Sequence, residues 1–231
     1  MTTIHSDPGH AERVGPAFSQ DGMLATRHLT RVAIREIARA VLPGMVEEDA
    51  VALAQEVLRR MDLSPTWHPT RVRFGRNTTR AMKQPSVPGA VLQQDDIFFI
   101  DIAPRHGPWE GDGGETFTVG ADPLHAKCAR DAKALFHEVR HQWAVHGWTG
   151  VRLYEYARGR ARDMGWELNP DLPGHRICDF PHAALHSGSL AAADFRPSPL
   201  RWVLEIHLRD RVGRFGAFFE DMLLEDRFYG A

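Results

Sequence analysis

The sequence predicts an α+β fold, an antiparallel sheet with acidic hairpins flanked by helices. Three observations carry this expectation. Segments of helical and of alternating hydrophobic periodicity follow one another in blocks, helices then strands, twice over. Both strand blocks read as hairpins, and each hairpin carries acids inside apolar runs. The length of 231 residues suits one large domain, and no repeat or linker divides it.

The elements follow in order. Residues 1–21 are polar and carry Pro and Gly, which predicts an N-terminal arm ahead of a single domain over 22–231. From Met23 to Val41, Leu24, Leu29, Val32, Ile34 and Ile37 recur at helical spacing until Pro43–Gly44 stops the pattern. Glu47 to Met61 forms a second helix, and Thr70–Gly75 a short strand. Ile97, Phe98, Phe99, Ile100 and Ile102 form an apolar strand interrupted by Asp101. A hairpin centred on His106–Gly107 sets Asp101 opposite Asp112, before the arm continues through Glu115–Gly120. Asp122–Pro123 opens a long helix to about His146, and Thr149–Gly150 leads into another that ends near Gly165. Pro-punctuated loops follow, then strands over Arg201–Leu208 and Phe215–Leu224.

Composition bounds the function. At 43% hydrophobic and 25% charged, with a net charge of −2, the chain gives no reason to propose nucleic acid or an anionic membrane as partner. The basic stretch Arg71–Arg80 lacks aromatic interleaving and reads as a solvated loop. Two cysteines are too few for a disulfide framework, and Cys178 reads as a small packed residue. The polar N-terminus has no signal-peptide core, and no apolar run is long enough to span a membrane. The expected setting is cytoplasmic. A homodimer is left open.

The acids carry the chemistry. Val203, Glu205 and His207 share one face of their strand, and Glu220 lies among Phe218, Phe219, Met222 and Leu223. A hairpin centred on Val212–Gly213 sets Glu205 opposite Glu220. Like charges directly opposed destabilise a sheet, and a buried carboxylate is costly without a partner. Four converging carboxylates would hold protons at neutral pH unless cations neutralise them, and two divalent ions balance four charges. Oxygen-rich ligation with a nitrogen or two suits manganese, iron, cobalt or zinc. His175, after Gly174, and His182 in the same loop are the candidate imidazoles.

At these residues the chain resembles the pita-bread metallopeptidases: methionine aminopeptidase, aminopeptidase P, prolidase and creatinase. Asp101, Asp112 eleven residues later, Gly174–His175, Glu205 and Glu220 stand in the family's order. "FFEDMLL" is similar to the closing motif of the prolidase branch, and residues 25–50 resemble the family's opening helices. The resemblance implies a pita-bread fold and a dinuclear centre in which Asp112 and Glu220 bridge. Asp101 would complete one site; His175 and Glu205 would complete the other. It further implies a metal-bridging hydroxide, His182 as the hydrogen-bond donor to substrate, and Glu205 as proton shuttle. The implied activity is removal of an N-terminal residue or cleavage of a dipeptide, with a lean to the Xaa-Pro type. A nonpeptidase, creatinase-like reaction on a small molecule and a noncatalytic binding protein are the alternatives.

The chain also departs from the family. Met82 stands where a substrate-facing histidine is expected, and Gly114 and Glu115 follow the second Asp in place of Thr or Ser and a base. His207 or His106 are candidates to replace the missing histidine, and Arg176 to narrow the pocket or bind a carboxylate. "HEVRH", His137–His141, spells the zinc-peptidase signature, but no third ligand stands out and it reads as a helix face that matches by chance.

Overall fold

The structure, a computed structural model, describes residues 8–229, so part of the expected N-terminal arm lies outside the described residues. Its opening elements are a short turn of helix α1 (Pro8–Ala11), then α2 (Gln20–Ala40) and α3 (Glu47–Arg60). Strand β1 (Arg71–Phe74) runs into a 3₁₀ turn (Gly75–Thr79), and β2 spans Asp96–Ile102. A two-residue pair, β3 (Arg105–His106) and β4 (Trp109–Glu110), precedes β5 (Gly113–Val119). Helices α4 (Pro123–His146) and α5 (Gly150–Met164) follow. The remaining strands are β6 (Glu167–Leu168), β7 (His175–Arg176), β8 (Trp202–Arg209) and β9 (Gly216–Met222).

These strands build one antiparallel sheet in the order β1-β2-β5-β9-β8-β6, with β7 also on β8. The helices take one face. Ile34 and Ile37 of α2 and Val57 and Leu58 of α3 pack on Phe98, Ile100 and Ile102. Leu135, Phe136, Val139 and Trp143 of α4 and Ala157 of α5 pack on Leu204, Ile206, Leu208 and Phe219. Alternation along the strands therefore turns Asp101, Glu205 and Glu220 to the face the helices leave open. Loops cover that face.

The expected register holds for the second hairpin, where Glu205 faces Glu220. It fails for the first. Asp101 faces Gly114, not Asp112. The turn is centred on Gly107–Pro108, since β3 pairs with β4 as His106↔Trp109. Gly107 takes φ +58°, and proline fixes the next φ negative, the pattern of a II′ hairpin turn. Asp112 sits just before β5, outside the ladder.

The N-terminal segment is tied down. Asp179 accepts from the N–H of Gly15 (2.7 Å) and of Ala17 (3.0 Å), and Glu12 accepts from the Trp202 indole (2.9 Å). The basic stretch is not solvated as expected. Arg73 is 1% exposed, and it donates to Gln84 O while Arg71 donates to Met82 O, so both hold the following loop. No helix among the described residues is long and apolar enough to cross a membrane.

Candidate metal centre

One lateral row of the sheet builds the site. Asp101 of β2 faces Gly114 of β5, Gly114 faces Glu220 of β9, and Glu220 faces Glu205 of β8. Directly opposed residues in antiparallel strands share a face, so three carboxylates rise side by side from four strands. The fourth strand contributes space. A Cβ on Gly114 would lie 2.5 Å from the Phe218 ring and 3.1 Å from Glu220 Oε1. Asp112, fully buried, enters from the end of β5, and His175 from β7 at the rim.

Among the described residues, two sets of three side chains bring one ligand atom each within 4.8 Å of one another: His68, Asp101 and Asp112, and Asp112, His175 and Glu220. Asp112 belongs to both. His175 Nε2 lies 2.9 Å from Asp112 Oδ2, and His68 Nε2 lies 3.3 Å from Asp112 Oδ1. Glu205 is in neither set. Its Oε2 accepts from the Gly174 N–H at 2.7 Å, which orients the carboxylate beside His175.

Electrostatics set the cluster's charge balance. Burial pushes Glu220 well above the usual carboxylate range, and Asp112, Asp101 and Glu205 add repulsion. Burial also raises Asp101 to about 7, against the pull of His68, and raises Glu205 against His175. Asp112 is the exception: burial opposes its ionisation, but His68 and His175 together hold it below its ordinary value. Desolvation disfavours charge on the imidazoles, yet the carboxylates outweigh it and lift His68 to about 9 and His175 to about 10. Oδ1 of Asp101 and Oε1 of Glu220 are buried with no hydrogen-bond donor, and Oδ2 of Asp112 meets the His175 ring nitrogen at 2.9 Å. Buried polar atoms are nearly always satisfied. Oxygens that lack donors and converge with imidazole nitrogens fit divalent cations.

Beside the cluster stands His182, whose Nδ1 is 2.7 Å from Glu110 Oε2. Its ring stacks near that of His175, 5.9 Å between centroids. Trp67 presents ring contacts to His68, His175 and His182 and donates its indole N–H to Gly111 O at 2.8 Å. A cleft of about 440 Å³ opens next to the site and includes Met82, Asp171, Pro173, His175 and Glu205.

Three expected site residues fall elsewhere. His207 shares the face of Glu205, as alternation requires, but one row further on, between Phe99 and Phe218. It is fully buried, its Nε2–H donates to Thr78 O (2.7 Å), and its Nδ1 accepts from Asn169 (3.0 Å). Burial pushes its pKa down to about 4. A neutral ring with both nitrogens engaged has nothing left for substrate. Arg176 is 1% exposed and donates to the carbonyls of Arg201 and Arg13, so it braces the N-terminal segment. His106 sits in the β3–β4 hairpin opposite Trp109, without a hydrogen bond or ion pair to the cluster. In "HEVRH", His137 packs against the Phe219 and Tyr229 rings, and Arg160 of α5 holds Glu138. His68, Trp67 and Glu110 were not expected. Glu110, an acid two residues before Asp112 on the same hairpin arm, carried a signal in the sequence; His68 and Trp67, in a loop, carried none.

A sheet that raises a row of buried carboxylates against two histidines, with helices behind it, defines a pita-bread protein with a candidate divalent-metal centre. The chain belongs to metallopeptidase family M24, whose family model matches residues 21–224. Among solved structures it is similar to methionine aminopeptidase of Thermotoga maritima, with TM-score 0.67 and 14% identity over 96% of this chain and 98% of that one. X-Pro aminopeptidase of the same organism gives 0.68 and 18%, over 88% and 59% of the two chains. Dipeptidase PepE of Mycobacterium ulcerans gives 0.70 and 18%, over 91% and 56%. The chain thus spans less than two thirds of the length of the X-Pro aminopeptidase and the dipeptidase. Comparison with curated proteins gives no match.

Proposed function

We propose that the chain is a dinuclear metal-dependent hydrolase that removes an N-terminal residue from a peptide or cleaves a dipeptide. The observation that carries this reading is the set of buried carboxylate oxygens without donors, with Asp112 common to two ligand sets. Asp101, Asp112, His175, Glu205 and Glu220 would hold the cations, Asp112 being common to the two ligand sets. Manganese, iron, cobalt or zinc suits this donor set. When bound, such ions polarise a scissile carbonyl and make water a nucleophile at neutral pH. The chain's own residues do the rest. Glu110 engages His182 Nδ1, which leaves Nε2 as the nitrogen available to substrate oxygen. Glu205 carries a proton to the leaving amine, and its burial favours the protonated form. Trp67 packs its ring edge-on against His68, His175 and His182. The buried, unpaired Cys128 and Cys178 fit a reducing, cytoplasmic setting.

The Xaa-Pro type is our preferred substrate class within this reading. Because Met82 lines the cleft where family peptidases carry a histidine, a small nonpeptide amide is the second reading. A panel of Xaa-Pro dipeptides, N-terminal methionine peptides and small amides, offered to manganese-, iron-, cobalt- or zinc-loaded protein, tests it. Release of an amine by the wild type and not by Asp112→Ala is expected, with elemental analysis showing that the variant has lost metal. Full metal content in Asp112→Ala would overturn the assignment.

A further inference from the structure

We propose that His68 is a metal ligand, donating Nε2 to the cation held by Asp101 and Asp112, so that each of two cations carries one imidazole. This rests on the dinuclear reading above. The resemblance gives the Asp101 side oxygen ligands alone; the geometry adds a nitrogen to it.

His68 comes from none of the acid-bearing strands. It lies in the loop between α3 and β1, and Trp67 fixes that loop on the Asp112 hairpin. The Trp67 N–H donates to Ala103 O at 3.0 Å and its indole to Gly111 O at 2.8 Å. Next to it, His68 Nδ1 lies 3.1 Å from Pro69 O. A carbonyl only accepts, so Nδ1 carries the proton and a neutral ring has its lone pair on Nε2. That nitrogen meets Asp112 Oδ1 at 3.3 Å and Asp101 Oδ1 at 3.6 Å. Asp101 Oδ1 has no hydrogen-bond donor at all. A lone pair facing two carboxylate oxygens repels them unless a cation stands between. With metal–ligand bonds of ~2.0–2.2 Å, two atoms on one ion sit roughly 3.0–3.6 Å apart, and both contacts fall in that span.

His175 is built in the same way. Its Nδ1 lies 2.7 Å from the carbonyl of the following residue, Arg176, and its Nε2 lies 2.9 Å from Asp112 Oδ2. Two imidazoles, each oriented by the next carbonyl in the chain, thus approach the two oxygens of one carboxylate. Orientation through Nδ1 is how metal-bound histidines are usually held. The competing arrangement is an imidazolium paired with the acids and no ion between them. Nitrogen on the Asp101 side also shifts its preference from manganese toward cobalt and zinc.

Calorimetric titration of metal-free wild type, His68→Ala and His68→Gln with cobalt and with manganese decides it, with circular dichroism to confirm that each variant is folded. We expect two cations in the wild type. Each variant keeps one tight site and loses at least about 10-fold at the other, since even groups behind a ligand are worth about 10–100-fold. The loss is larger for cobalt than for manganese. In zinc-loaded wild type the ¹⁵N spectrum of His68 shows a metal-bound Nε2 and a protonated Nδ1. Two cations in the wild type with both affinities unchanged in the variants overturns the proposal and spares the dinuclear reading; so does a His68 Nε2 without a metal shift. Fewer than two cations in the wild type, unaffected by Asp112→Ala, overturns both.

Discussion

Glu110 is fully buried two residues before Asp112 and accepts three bonds. They come from His182 Nδ1 (2.7 Å), the His182 N–H (3.1 Å) and the Cys178 N–H (3.0 Å). It therefore fixes both the ring and the backbone of His182. If His182 meets the substrate oxygen, His182→Ala should lower turnover about 10²–10³-fold with metal content intact. Glu110→Gln keeps the shape and loses the charge-assisted bond, so it should lower turnover by about 10–100-fold, again without loss of metal. Steady-state kinetics with elemental analysis checks both. A drop in bound metal in Glu110→Gln would place this acid with the ligands instead. Because the carboxylate also accepts backbone N–H groups, His182 N–H on Oε1 and Cys178 N–H on Oε2, Glu110→Ala should cost ~1–3 kcal/mol of stability in addition.

At the scale of elements, register decides which acids meet. The β8–β9 hairpin was legible because both arms alternate cleanly and Gly213 marks the turn, and its Glu205–Glu220 pair is the observed one. The β2–β5 pairing was not legible, because a second small hairpin with its own Gly107–Pro108 turn lies inside it and two irregular stretches separate the ladders. Asp112 could be seen as a site residue but not as one standing outside the strand. Alternation placed His207 on the right face; it carries no information about which row Phe99 and Phe218 would close. His68 reaches the site only through the tertiary placement of a loop, which no local pattern encodes. Gly114 is the junction of the row, and its missing side chain makes room for Phe218 and Glu220. Gly114→Ala should force both to move, costing about 1–3 kcal/mol by overpacking and weakening metal binding. Thermal melts and metal titration check this. Unchanged affinity in a folded variant would mean that Glu220 is not held by that contact.

For the whole molecule, the cluster ties stability to pH. Asp101 has a folded value raised to about 7, so without metal the native chain binds more protons than the unfolded chain between its ordinary value and neutrality. Stability falls as pH rises through that window. His68 and His175, raised to about 9 and about 10, add stability that is complete below the ordinary histidine value and lost as pH climbs through those higher ones. The depressed Asp112 works the other way, but only below the ordinary carboxylate range. Both larger effects make the metal-free protein weaker in alkali. Divalent cations held by these groups would compete with the same protons, and so would bind more tightly at higher pH. Each tenfold gain in affinity adds about 1.4 kcal/mol to the metal-bound state, or ~3–6 °C in a chain of this size. The rise in melting temperature on adding manganese to chelator-treated protein should therefore be larger near pH 8.5 than near pH 5.5, by at least a few degrees. In Asp112→Ala the rise should be small at both. An equal rise at the two pH values in the wild type would mean that the ions bind away from these carboxylates and imidazoles.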